Sequence, residues 1–81
     1  MNQLVPSPKL SFKEALNIYV FFLTKQKGKS DPWLHMLERE HPFTYAKIIQ
    51  AEKDQNYKNE IIKELFKHLN LKHFIEVTIQ N

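Results

Sequence analysis

The sequence predicts an all-α fold, four short helices in a compact bundle, with one short C-terminal β-strand. Three observations predict it. Apolar residues recur at helical spacing from Phe12 to Leu69. Helix start and stop signals divide that stretch into pieces, beginning with Ser11 and Glu14, then Gly28, Ser30-Asp31-Pro32 and His41-Pro42. The residues from His73 to Gln80 instead alternate, with Ile75, Val77 and Ile79 on one side and Phe74, Glu76, Thr78 and Gln80 on the other. A period of two with β-branched residues marks a half-buried strand.

Residues 1–10 read as an extended N-terminal arm, because Pro6 and Pro8 each disfavour helix at the preceding residue. Residues 11–81 read as a single helical domain that includes the strand 73–80. At Ser11 the pattern turns helical. Ser11-Phe12-Lys13-Glu14 fits a capping box, with Leu10 and Ala15 as its hydrophobic staple. The first helix is expected to run to about Lys25 or Lys27, and Gly28 is its left-handed stop. Phe12, Ala15, Leu16, Tyr19, Phe22 and Leu23 form the expected inward face. Ile18, Val20 and Phe21 widen it until the second half is apolar nearly all round, as in a central or interface helix.

The second helix is expected over about Pro32 to Glu40, with Ser30 as its capping side chain. Trp33, Leu34, Met36 and Leu37 turn inward. His41-Pro42 breaks it. The third begins near Pro42 or Thr44, directs Tyr45, Ile48 and Ile49 inward, and ends around Asp54 to Asn56. The fourth spans about Tyr57 to Leu69 on a stripe of Ile61, Ile62, Leu65, Phe66 and Leu69, with Asn70 as its stop. Asp54-Gln55-Asn56 also fits the interior of one long helix, which leaves the third boundary open.

The chain has 81 residues, enough for one domain with a modest core. Met1 reads as the start of a complete small reading frame. An apolar fraction of 42% with 12% aromatic residues supports a globular core and argues against disorder. With no cysteine there is no disulfide framework and no thiol chemistry. The net charge of +3 is evenly spread, with six basic and four acidic groups in residues 1–40 and six and five in 41–81. That balance permits nucleic-acid binding without requiring it. The longest apolar run, Ile18 to Leu23, is too short to cross a bilayer. The N-terminus has no signal-peptide pattern, and a cytoplasmic location is expected.

Motifs that suggest chemistry have simpler explanations. Gly28-Lys29-Ser30 resembles the end of a phosphate-binding loop. However, Leu23 stands where the first glycine belongs, and a helix rather than a strand precedes it. His35, Glu38 and His41 cannot share one helical side, since position 41 falls about 120° from position 35. No metal site and no cofactor are expected. Ser7, Ser11 and Ser30 have turn or cap roles, and no serine or threonine sits in a glycine-flanked elbow. An enzyme is therefore not expected.

Two readings remain. A strand cannot stand alone, because its edges carry unpaired N–H and C=O groups. Inside the chain only Gln3-Leu4-Val5 could pair with it. Phe74, Ile75, Val77 and Ile79 are therefore the expected partner or dimer interface, and a homodimer through the strand is expected. On this reading the chain is a small non-enzymatic regulator that works by protein–protein contact, for example a phage- or plasmid-type modulator of a host protein. The alternative is a dimeric helix-turn-helix DNA-binding transcriptional regulator. Lys25, Lys27 and Lys29 are the densest basic spot. Helices 2 and 3, around a His41-Pro42-Phe43 break, have the dimensions of that motif. Thr44, Lys47, Gln50 and Lys53 would then face the groove. The turn lacks the usual glycine, and no arginine is placed to read guanine.

Overall fold

In the computed structural model, which describes residues 5–69, four helices follow one another. They are α1 (Phe12–Gln26), α2 (Asp31–Glu40), α3 (Pro42–Lys53) and α4 (Gln55–Leu69). No strand occurs among the described residues. The expected strand 73–80, with Phe74, Ile75, Val77 and Ile79, lies outside them, as does most of Gln3-Leu4-Val5.

Each boundary follows from local chemistry. Ser11 Oγ accepts from Glu14 N at 3.1 Å, and Glu14 Oε1 accepts from Ser11 N at 3.0 Å, completing the expected capping box. At the other end Gly28 adopts φ +69°. Gly28 N donates to Lys25 O and Lys29 N to Thr24 O, the paired bonds of a Schellman stop.

Ser30 departs from expectation. Its side chain makes no capping bond, and only its carbonyl takes part, accepting from Leu34 N. Pro32 sits in the first turn, where its missing N–H has no helical partner to lose. His41 alone separates α2 from α3, and its N–H donates to Leu37 O. Asp54 settles the open boundary. It leaves the helical region at φ −133°, ψ 111°, and its carboxylate accepts from Asn56 N at 2.9 Å and Tyr57 N at 3.4 Å. An aspartate that caps forward in this way starts a new helix.

The core contains Leu10, Ala15, Ile18, Phe21, Phe22, Leu37, Ile48, Ala51, Tyr57, Ile61, Ile62 and Leu65. α4 lies antiparallel to α1. Its last turns meet Leu10, while Lys58 near its start stands over the Phe22 ring. α2 adds to one flank through Trp33, whose Nε1 donates to Asn17 O at 3.0 Å.

The inward face of α1 differs from the expected one. Ala15, Ile18, Phe21 and Phe22 are buried, whereas Phe12 is 56% and Leu16 40% exposed. At 100° per residue the buried set is centred roughly 90° from the expected face. A helix apolar on nearly every side does not choose its orientation by periodicity. Here Glu14 chooses it, because its carboxylate is tied inward to α3 through Lys47.

Candidate functional site

Three regions outside the apolar core carry chemistry. The first lies under the arm. Lys47 Nζ donates to Lys9 O at 2.6 Å and to Glu14 Oε1 at 3.0 Å. Glu64 Oε1 accepts from Leu10 N at 3.3 Å, and His68 Nε2 lies 2.7 Å from Leu10 O, so it must carry the proton. Tyr57 Oη donates to Ser7 O at 3.3 Å. The arm's backbone is thus fastened to α3 and α4 at several points. This is what satisfies a segment that has no ladder of its own.

These contacts move the titrations. Burial pushes the Glu14 carboxyl upward, but the Ser11 N–H, Lys47 and Thr44 outweigh it and hold Glu14 below its ordinary value. For Glu64, the bond from Lys67 is the main cause of a lowered value. Burial opposes it, and the Leu10 N–H, the Lys67 charge and His68 add to it. Burial, with the Glu14 charge in second place, pushes the Tyr57 hydroxyl up to about 12. Glu14 and Lys47 are each engaged by the other and by neighbouring groups. The cluster acts as a clamp.

The second region is a basic end. Lys25 Nζ meets both Glu52 oxygens, at 2.6 and 2.8 Å, and stands 5.9 Å from the Phe21 ring. This contact brings the end of α3, with Lys53, to the end of α1, with Lys27 and Lys29. Lys58 joins them over Phe22. Sequence reasoning missed Lys58, since only the turn at Asp54 carries it to this end.

The expected groove face does not form. Thr44 and Lys47 are buried, Gln50 is half-buried, and of the four only Lys53 is exposed. Steps of three residues drift about 60° each, so Lys53 lies about 180° around α3 from Thr44. The break between the helices is also one residue, not three.

The third region is apolar and exposed. Phe43, in the first turn of α3, is 81% exposed. On α1, Phe12 and Leu16 are exposed, and Val20 and Leu23 are half-buried. Within about 80° of arc, these four form a stripe roughly 150° around the helix from the buried face. The signal for this stripe was present in the sequence as surplus apolar residues on helix 1.

Among the described residues no group of three His, Cys, Asp or Glu side chains could hold a metal ion. No described helix is long and apolar enough to cross a membrane. Comparison with known proteins gave no match: no family model, no curated protein and no solved structure resembles this chain.

Proposed function

We propose that this chain is a small non-enzymatic regulatory protein that acts in the cytoplasm through protein–protein contact. The observation that carries the reading is Phe43, a large aromatic 81% exposed in the first turn of α3. Exposed aromatics on ordered backbone are favoured anchors at interfaces, because they bury much area at little entropic cost. The second support is the apolar stripe on α1. The polar cluster under the arm supports it as well, since its groups hold backbone in place. A phage- or plasmid-type modulator of a host protein is one role of this kind, and self-pairing of residues 73–80 into a homodimer is its simplest assembly.

The test is retention of a defined partner from a lysate of the source cell, with nuclease present. The same bait carrying Phe43→Ser is run beside it. The expected result is a protein retained by the wild type and lost with the variant, which should fold normally. Equal retention by both baits, or none by either, would overturn the reading.

A second reading is a DNA-binding protein, as in the alternative expected from the sequence, but one that meets DNA through its basic end rather than through a helix-turn-helix. One observation favours it: Lys25, Lys27, Lys29, Lys53 and Lys58 gather at one end of the bundle. Their contact would be with phosphate rather than with base edges, and affinity would fall steeply with salt through counterion release. A salt titration of DNA retention separates the two readings. Absence of binding at low salt ends the second one.

A further inference from the structure

We propose that the basic end of the bundle is a seat for the phosphate backbone of duplex DNA, and that Glu52 closes it by holding Lys25. The inference rests on the DNA-binding reading and adds the regulation of that surface.

Three helix ends meet there. Lys25 lies in the last turn of α1, with Lys27 and Lys29 just beyond it. Lys53 is the last residue of α3, and Lys58 follows the start of α4 at Gln55. Contacts hold these ends together. Lys25 Nζ meets both oxygens of Glu52, at 2.6 and 2.8 Å, and stands 5.9 Å from the centre of the Phe21 ring. Lys58 Nζ stands 5.6 Å from the centre of the Phe22 ring. The two rings are neighbours on α1, with centres 5.4 Å apart, and both are buried. An ammonium is attracted to the negative face of an aromatic ring. The core thus supplies a fixed floor under two of the lysine heads.

The surroundings suit phosphate. Lys27, Lys29 and Lys53 are exposed, and the Lys25 side chain stays 46% exposed despite its partner. The exposed aromatics Phe12 and Phe43 lie at the opposite end, in the first turns of α1 and α3, which Thr44 joins by donating to Glu14. A surface that offers charge without an exposed aromatic fits a sugar-phosphate backbone, whereas unpaired bases need a ring to stack on. Duplex DNA presents one negative charge per roughly 1.7 Å of its axis, so several lysines can be met at once.

Glu52 sets the strength of that contact. Its carboxylate grips the Lys25 head with both oxygens, in the position a phosphate would take. Backbone binding at Lys25 is then an exchange of one anion for another, and Glu52 left beside the phosphate repels it. With the pair closed, the surface engages DNA through the other lysines. With Glu52 neutral, Lys25 joins them.

The test is a double-mutant cycle on the full chain: wild type, Glu52→Gln, Lys25→Gln and the two together. Each is titrated by anisotropy against a fluorescent duplex of arbitrary sequence, over a series of salt concentrations. Both side chains are partly exposed, and a thermal melt of each variant shows that it folds. Glu52→Gln should tighten binding roughly threefold, the scale of one exposed ion pair. It should also steepen the salt slope by about 0.9, the mark of one further phosphate. On the Lys25→Gln background the same change should leave the slope as it was and raise affinity less.

Binding by Glu52→Gln but by no other member would support the closure outright. An equal gain on both backgrounds would make Glu52 a bulk charge and overturn the closure, as would no gain at all. The DNA reading survives either result so long as the wild type binds. No binding by any of the four at low salt would end that reading and the inference together. Poly-glutamate competes in a parallel titration and should leave the duplex bound. Displacement of the duplex at equal charge concentration would assign the surface to an acidic protein and overturn the choice of phosphate.

Discussion

The two sides of α1 are almost equally apolar, yet they have opposite fates in the fold. One side carries Ala15, Ile18, Phe21 and Phe22 into the core, while the other leaves Phe12 and Leu16 at the surface. Hydrophobicity alone does not separate them. The difference lies with Glu14, whose carboxylate meets Lys47 and Thr44 of α3 only when α1 is turned this way. A polar pair thus fixes the orientation of an apolar helix, because Lys47, 11% exposed, would otherwise keep a buried charge without its carboxylate, which costs more than an exposed leucine.

The comparison breaks most easily at the buried side. Phe22→Ala should destabilise by about 3 kcal/mol, the lower end for loss of a buried aromatic, and Phe21→Ala by a similar amount. For a domain of this size that is much of the total stability. Thermal or urea unfolding measures it. A variant that melts within about 0.5 kcal/mol of wild type would show that this side is not the core.

The orienting pair comes next. Glu14→Gln leaves the ammonium of Lys47 beside a neutral amide. The side chains are 21% and 11% exposed, so the loss is a discounted version of breaking a buried pair, about 2 kcal/mol. The pH dependence has a definite sign. Glu14 and Glu64 bind their protons more weakly when folded than the ordinary carboxylate at 4.5. Their contribution is therefore present above about 4.5 and is lost as pH falls through the lowered values. Wild-type melting temperature should drop on acidification below that point, and Glu14→Gln should flatten the drop. Tyr57 has the opposite window. Its folded value of about 12 exceeds the ordinary 10.0, so its contribution holds below 10 and disappears between 10 and about 12.

How much of this was legible in the sequence differs from element to element. Ser11 with Glu14, and Gly28, act through nearest neighbours, so their roles could be read directly and the structure agrees. Four helices among the described residues were likewise legible, because the apolar period is strong on α4 and the breaks contain proline or a capping side chain. Asp54 was ambiguous, since an aspartate is tolerated inside a helix and only its bonds to Asn56 and Tyr57 show it capping.

The groove-facing set failed for a geometric reason. A spacing of three looks like a face over two residues, but Thr44 and Lys53 end on opposite sides of α3. The clamp under the arm was not legible either. It joins residues up to 58 positions apart, Leu10 and His68, and no local pattern encodes such a contact. The side on which α1 would turn was undetermined for the same reason, because Lys47 is remote in sequence from Glu14.

The smallest expected effect is the sharpest test of the two-sided helix. Leu16 is a large apolar residue on the same helix as the buried Phe22, and periodicity places it on the expected inward face. At 40% exposure it has much less area to lose from burial than Phe22 at 4%. Leu16→Ala should therefore cost less than about 1 kcal/mol, since alanine keeps the helix propensity and leaves no closed cavity. The pair of variants forms an internal control. Both remove apolar side chain from one helix, so a shared change in helix stability cancels in their difference. Unfolding curves for the two should be separated by about 2 kcal/mol, with unchanged denaturant slopes. Should Leu16→Ala instead match Phe22→Ala, the stripe is covered in solution by something firmly packed. Light scattering on the same samples then shows whether that cover is a second chain. A monomer would place the cover within one chain, and a wild-type dimer that dissociates on Leu16→Ala would place the stripe at the homodimer interface.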